Sequence, residues 1–132
     1  MSCHASGFPQ LRFLSLENLR NLEKWEIEDG AMPNLSQLTI SGCSKLEMIP
    51  AGLRYNTLLK ELKIYNMPEE FKNRVVVNED GEEGADFDKL RHVRTINIYG
   101  ALLAGIIQHP LHLHYPISFI CIYSSFCLIA FI

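Results

Sequence analysis

Leucine and isoleucine recur in the first half of the chain at a fixed interval. Leu11, Leu35 and Leu59 are evenly spaced along the sequence. The same interval separates the members of three further columns, which are Leu14, Leu38 and Leu62; Leu16, Ile40 and Ile64; and Leu19, Cys43 and Met67. A constant period in the twenties with apolar residues at fixed offsets is typical of stacked repeats. The repeating unit is LxxLxLxxLxxLxxφ, in which φ is an apolar residue.

The alternation inside each unit predicts a short strand. Leu14 and Leu16 would point to one face of an extended segment, and Phe13, Ser15 and Glu17 to the other. Because the units follow one another in the same direction, their strands must lie parallel, and each connecting arm must return along the opposite side. We therefore predict an α/β solenoid with a short, curved parallel sheet and with irregular or short helical arms on its convex side.

A fourth strand is predicted after an interruption. Val93, Ile96 and Ile98 have the spacing of the unit, but Val93 comes ten positions later than the regular interval from Leu59 would place it. The segment EDGEEGADFD, residues 79–88, is ten residues long and contains six acids, and its removal would restore the interval. We interpret it as a solvated, flexible insertion, because like charges repel one another. No frame through it matches the ligand pattern of a calcium-binding loop.

These patterns divide the chain into five segments. They are an N-terminal extension (1–7), three repeats (8–78), the acidic insertion (79–88), the strand of the last repeat (89–100) and an apolar tail (101–132).

The outward strand positions form a grid that predicts a binding surface. Its three columns are Phe13, Gln37, Glu61 and Thr95; Ser15, Thr39, Lys63 and Asn97; and Glu17, Ser41, Tyr65 and Tyr99. Side chains on such a rigid concave wall suit a protein partner, and the aromatic members Phe13, Tyr65 and Tyr99 are the best anchor candidates. The alternative is that these aromatic rings only cover their neighbours.

Composition and charge narrow the function classes. A chain of 132 residues with 48% hydrophobic content fits one globular domain. The net charge of −3 gives no reason to expect a nucleic-acid partner. The four cysteines are too few and too scattered for a disulfide scaffold, and MSCHASG is not a secretory signal. We therefore expect reduced thiols in an intracellular, cytoplasmic protein.

The candidate chemical groups do not assemble into a catalytic or metal site. Cys43 shares its column with Leu19 and Met67, so we expect a small buried hydrophobic side chain. His109, His112 and His114 have no cysteine or carboxylate at a spacing that would complete a metal site. Trp25 is expected to pack under its arm. With no Ser, His and Asp set at a suitable spacing, we expect no enzyme, no metal and no cofactor.

The end of the chain departs from the repeat. ISFICIYSSFCLIAFI, residues 117–132, is almost wholly apolar and favours a helical interpretation, although sixteen helical residues span only about 24 Å. Three accounts stay open: a membrane anchor within residues 111–132, a cap that folds over the last strand, or translated sequence beyond a lost exon boundary. The density of β-branched and aromatic residues also makes 117–123 an aggregation hazard.

The first strand raises a related question. Only seven residues precede the first repeat, so the sequence predicts an unpaired strand edge at Leu11 to Leu16. An unpaired edge accepts other strands, and we therefore expect the isolated chain to be marginally stable or to self-associate.

Several longer phrases carry a resemblance to a known family. FPxLxxLxLxxLxxLExW, MPxLxxLxIxxCxxLxxIPxGL, LLKELxIxxMPxEF and HVxxIxI span residues 8 to 99. Together with the Ile49-Pro50 and Met67-Pro68 steps, they resemble the last leucine-rich repeats of plant nucleotide-binding leucine-rich-repeat disease-resistance proteins. The resemblance implies a recognition module that binds a pathogen effector, a guarded host protein or the nucleotide-binding part of a receptor.

The resemblance leaves alternatives open. The chain contains no GxxxxGK[ST] phosphate loop, so it would lack the nucleotide-binding switch of that family. The alternatives to a protein-binding repeat module in plant defence are a membrane-tethered repeat adaptor and a truncated, non-functional receptor fragment.

Overall fold

The computed structural model of the protein describes residues 1–99, 119–123 and 128–131. The fold of this part is mixed α/β, with two sheets and a few short helices. The strands are β1 (Ser2–Cys3), β2 (Phe13–Glu17), β3 (Glu26–Ile27), β4 (Gln37–Ser41), β5 (Glu61–Tyr65), β6 (Thr95–Tyr99), β7 (Phe119–Tyr123) and β8 (Leu128–Phe131). The helices are α1 (Glu69–Val75) and two 3₁₀ helices, Ala51–Tyr55 and Phe87–Leu90.

The main sheet has the strand order β6-β5-β4-β2-β7-β8. From β2 to β6 the strands are parallel, and Leu14, Leu38, Leu62 and Ile96 are successive register partners. The predicted parallel pairing and the predicted columns are therefore confirmed. The longer last interval is confirmed as well, since Glu61 has Thr95 as its partner and the acidic segment lies between them.

The aliphatic columns form the core. Leu14 is 4% exposed, and Leu38 and Leu62 are completely buried. Each such side chain contributes roughly 1.5–3 kcal/mol by leaving water. The other columns are buried in the same cluster, which contains Leu11, Leu35, Leu59, Leu16, Ile40, Ile64, Leu19, Cys43 and Met67.

A backbone ladder joins each unit to the next just before the strands begin. The carbonyl oxygen of Arg12 accepts hydrogen bonds from the amides of Ser36 (2.8 Å) and Gln37 (3.0 Å). Ser36 accepts in the same way from the third unit, and Lys60 accepts from the fourth. Both acceptor sites of each of these three carbonyls are thus occupied by amides of the following unit. This pairing fixes the register of neighbouring strands.

The N-terminal extension takes part in this packing. β1 pairs in parallel with β3, and the partners Ser2 and Glu26 are separated by one repeat interval. The carboxylate of Glu28 accepts a hydrogen bond from the Ala5 amide at 2.7 Å, and its other oxygen lies 3.2 Å from Nδ1 of His4. Residues 2–3 therefore repeat the arm geometry of the first unit.

The acidic segment differs from the prediction of a solvated loop. Glu79 to Glu83 are exposed and belong to a small hairpin, which the bridge between Val77 and Glu83 closes. Asp86, in contrast, is completely buried. Its carboxylate accepts hydrogen bonds from Arg74, from Nζ of Lys89 and from the amide of Ile49. The solvated interpretation is wrong for Asp86, because two cations and a backbone donor replace the water that it loses.

The apolar tail also differs from the prediction. Phe119–Tyr123 and Leu128–Phe131 are strands, so the helical interpretation is wrong there. β-branched and aromatic residues favour extended structure, and an open sheet edge offers them backbone partners. The rest of the tail, including the three histidines and most of the predicted anchor, lies outside the described residues. Among the residues that are described, no helix is long and apolar enough to cross a membrane.

The edge of the first strand is occupied. β7 pairs in parallel with β2 from Phe13↔Phe119 to Glu17↔Tyr123, and β8 pairs antiparallel with β7. The prediction of an unpaired edge at Leu11 to Leu16 is therefore wrong for β2. The tail strand lies at the first repeat, whereas the cap interpretation places it over the last strand.

Candidate protein-binding face

The twelve outward positions are aligned as their sequence spacing predicts. Phe13, Gln37, Glu61 and Thr95 are successive register partners across β2, β4, β5 and β6. The same pairing aligns the column from Ser15 to Asn97 and the column from Glu17 to Tyr99. We call these twelve residues the outward face. Neighbouring strands lie about 4.8 Å apart, so each column is a row of closely spaced side chains.

Access to the outward face is uneven. Ser15, Glu17 and Ser41 are buried, at 6%, 3% and 6% exposure, so their predicted projection into solvent is wrong. Two of them lie on β2, which has a strand on either side, and Ser15 donates a 2.9 Å hydrogen bond to the Glu17 carboxylate. Thr95 is exposed, and the remaining eight residues are half-buried.

Tyr65 and Tyr99 form a stacked pair at the β5–β6 side of the outward face. Their ring centroids are 4.6 Å apart, and the ring planes differ by 10°. Both rings are half-buried, so each keeps one part in contact with solvent. Stacking holds the two rings in a fixed orientation, which lowers the entropy that they would lose on binding a partner.

Glu61 and Lys63, on the same strand as Tyr65, carry opposite charges. Oε1 of Glu61 lies 3.6 Å from Nζ of Lys63 and accepts a hydrogen bond from the side-chain amide of Asn97 at 3.4 Å.

The pKa of Tyr65 is raised above its ordinary value, first by burial and then by Tyr99, Glu61 and Glu17. Tyr65 therefore keeps its proton at neutral pH, and its hydroxyl can both donate and accept a hydrogen bond.

The stacked tyrosines stand at one corner of the outward face, with Glu61, Lys63 and Asn97 on the same two strands. Aromatic residues are enriched in protein interfaces, and polar groups form the rim around them. Elsewhere in the chain, Cys43 is completely buried, and burial raises the pKa of its thiol. Trp25 is 4% exposed. The predictions that these two side chains are packed in the interior are confirmed.

One column of residues was missed by the sequence analysis. Asn18, Gly42 and Asn66 follow the strands β2, β4 and β5 and have φ values of 54°, 63° and 48°. Their amides donate to the carbonyls of Ser41, Tyr65 and Tyr99, which end the next strands. Asn and Gly are the residues that adopt left-handed backbone most readily, so their recurrence at the repeat interval was the available signal.

Comparisons with known proteins find relatives among disease resistance and disease susceptibility proteins of Arabidopsis thaliana. The chain is 42% identical to disease resistance RPP8-like protein 3 over 99 residues, which are 75% of this chain and 10% of the relative. It is 43% identical to disease resistance protein RPP8 over 70% of this chain and to disease susceptibility protein LOV1 over 73%, again with 10% of each relative. The chain thus spans about a tenth of the length of these relatives. No protein-family model and no solved structure matches it.

Proposed function

The chain belongs to the family of RPP8-like plant disease resistance proteins, and from this premise we propose that it is a leucine-rich-repeat recognition module of plant defence. In this proposal the parallel strands are the concave side of a short solenoid, and the arms with their short helices are its convex side. The outward face binds a protein partner.

The observation that carries the proposal is the half-exposed Tyr65–Tyr99 stack in a register-aligned face. The two rings share their strands with Glu61, Lys63 and Asn97, which offer both charges and an amide to a partner. Because Ser15, Glu17 and Ser41 are buried, we assign the binding energy to the β5–β6 side of the face and not to β2. Tyrosine anchors on a rigid frame commonly contribute roughly 2 kcal/mol or more to a protein interface.

The proposal is tested by comparing the partners of four versions of the chain. The immobilised wild-type chain, Tyr65→Ala, Tyr99→Ala and the matched control Tyr55→Ala are incubated with plant leaf extract, and retained proteins are quantified by mass spectrometry. Tyr55 is 56% exposed and lies in a 3₁₀ helix away from the outward face. Tyr55→Ala therefore removes a surface tyrosine ring without changing the outward face.

The proposal is supported if wild type and Tyr55→Ala retain a set of proteins in equal amounts and both other variants retain at least tenfold less of them. If all four versions retain the same proteins in the same amounts, the outward face is not the binding site. Circular dichroism of each variant checks that the strands have formed.

Three parts of the proposal follow from the family and stay predictions. We propose a partner of protein class, namely a pathogen effector, a guarded host protein or the nucleotide-binding part of a receptor, and not a nucleic acid. We propose binding without catalysis. The location would be the cytoplasm, where such recognition occurs in the family that the sequence resembles.

A further inference from the structure

The outer edge of β2 is a strand-accepting site with a defined occupant. β7 joins it in parallel through five consecutive register pairs, the same direction and the same number of pairs that join β2 to β4. β8 then pairs with β7 in the opposite direction, which ends the parallel series on this side.

We propose that Phe119–Tyr123 acts as a surrogate repeat strand that caps the first repeat within the same chain. The site takes a parallel five-residue segment with aliphatic residues at its second and fourth positions. This inference concerns the edge of the sheet and is independent of the partner that the outward face binds.

The register carries this assignment. Ile120 is the partner of Leu14, and Ile122 is the partner of Leu16. In the other direction Leu14 and Leu16 have Leu38 and Ile40 as partners. The tail strand therefore continues two aliphatic columns at the positions where a further repeat unit would supply them. A shift of one residue would place Ile120 and Ile122 in the outward columns instead.

Capping has a consequence for assembly. An open parallel edge with its unpaired amides and carbonyls accepts strands from other chains. While β7 occupies the edge, neither a second copy nor an additional repeat placed before β2 can pair there. In a longer chain, a repeat placed before β2 would compete with β7 for this one edge.

A disulfide test measures the pairing directly. Ser15 and Cys121 are register partners, so their Cα atoms should lie about 4.8 Å apart, within the range that a disulfide can bridge. The full chain carrying Ser15→Cys is compared with the matched control Thr39→Cys. Thr39 is in the same row but one strand further away, at roughly 10 Å, beyond the limit for a disulfide. Both proteins carry Cys127→Ser, so that Cys121 is the only tail cysteine.

The expected result is a disulfide between position 15 and Cys121 within one chain. It should form in dilute, mildly oxidised protein and be at least tenfold more abundant than the corresponding product in the control. Equal yields in the two proteins would overturn the proposal. So would products that link two chains, because the occupant would then be a second copy.

A second measurement tests the same pairing without a disulfide. In a parallel strand, successive amides point alternately to the two neighbouring strands. Whichever of residues 120 and 121 donates towards β2, the double substitution Ile120→Pro and Cys121→Pro removes that donor. Hydrogen exchange of Phe13–Glu17 amides in the full chain should accelerate at least tenfold, while exchange in Glu61–Tyr65 stays unchanged. Unchanged exchange in Phe13–Glu17 would overturn the proposal.

Discussion

The guanidinium of Arg74 holds the carboxylate of Asp86 through two hydrogen bonds, from Nε at 2.9 Å and from an Nη atom at 3.1 Å. Lys89 adds an ion pair at 2.8 Å, and the amide of Ile49 donates at 3.0 Å. The carboxylate has no exposed surface, so these four bonds replace its hydration completely. Through these bonds Asp86, in the acidic segment, connects the end of α1 to the loop before the first 3₁₀ helix.

Removal of this carboxylate should destabilise the fold strongly. Asp86→Ala leaves the Ile49 amide without its acceptor, and Lys89 keeps only the Ile49 carbonyl and loses its ion-pair partner. Breaking a buried pair costs about 3–5 kcal/mol. Urea denaturation of both proteins at neutral pH measures the difference.

The control for this substitution is a neighbouring acid of the same type. Asp88 has a side chain that is 55% exposed and pairs with Arg54 at 3.4 Å. Asp88→Ala should change the free energy of unfolding by less than about 1 kcal/mol. Similar losses for the two variants would contradict the role assigned to Asp86.

The same carboxylate should give stability a defined dependence on pH. Burial opposes ionisation of Asp86, but hydrogen bonds from Arg74, Lys89 and Ile49 outweigh it and hold the pKa below its ordinary value. The unfolded chain therefore takes up this proton first as the pH falls below about 5. The stabilisation is complete above the unfolded pKa and is lost as the pH falls through the folded pKa.

Asp86→Asn separates this effect from the other acids. The difference in free energy of unfolding between wild type and Asp86→Asn should shrink as the pH is lowered from 5 to 3. A difference that stayed constant or grew over that range would show that the carboxylate is not stabilised by its partners.

Gly52 should tolerate no side chain. A Cβ atom at this position would overlap the backbone carbonyl of Ile27 on β3, which cannot move without disturbing the β1–β3 sheet. Gly52→Ala should cost roughly 3 kcal/mol or more through forced displacement of the backbone. Gly81→Ala is the control, because φ is 83° there but nothing lies within 4 Å. That variant should lose only about 1–2 kcal/mol. Thermal unfolding of the two proteins side by side makes the comparison, and equal melting temperatures would refute the overlap.

The tyrosine stack should contribute a measurable coupling energy. A double-mutant cycle with Tyr65→Ala and Tyr99→Ala should give about 0.5–1.5 kcal/mol of coupling, because the rings lie within stacking distance. A second cycle that combines Tyr65→Ala with Tyr55→Ala should give a value near zero. Chemical denaturation supplies both numbers, and a coupling near zero in the first cycle would mean that the rings do not stack in solution.

Periodicity alone predicted the central part of this fold. The columns that begin at Leu11, Leu14 and Leu16 specify which side chains are buried, and once those are aligned only one register of parallel strands is available. The fourth strand was predictable for the same reason, although its interval is longer. The alignment of the outward face followed directly, because the positions alternate with the buried ones.

The features that the sequence did not predict depend on contacts outside the period. Asp86 belongs to an acidic run, and the composition of that run predicts a solvated side chain. Its burial depends on Arg74, twelve residues away, and on the fold of the intervening hairpin. The pairing of β2 with β7 joins two segments that are about a hundred residues apart in the sequence. Composition gives no information about such distant pairings.

The long interval between the partners Glu61 and Thr95 shows that the arms and the strands obey separate constraints. The extra residues in this one arm leave the side-chain rows of the sheet in step, because the Lys60 carbonyl still receives its two amides from the next unit. Arms of this kind can lengthen or shorten over evolutionary time without moving any surface side chain out of its row. Substitutions on the strands and insertions in the arms can therefore accumulate independently of each other.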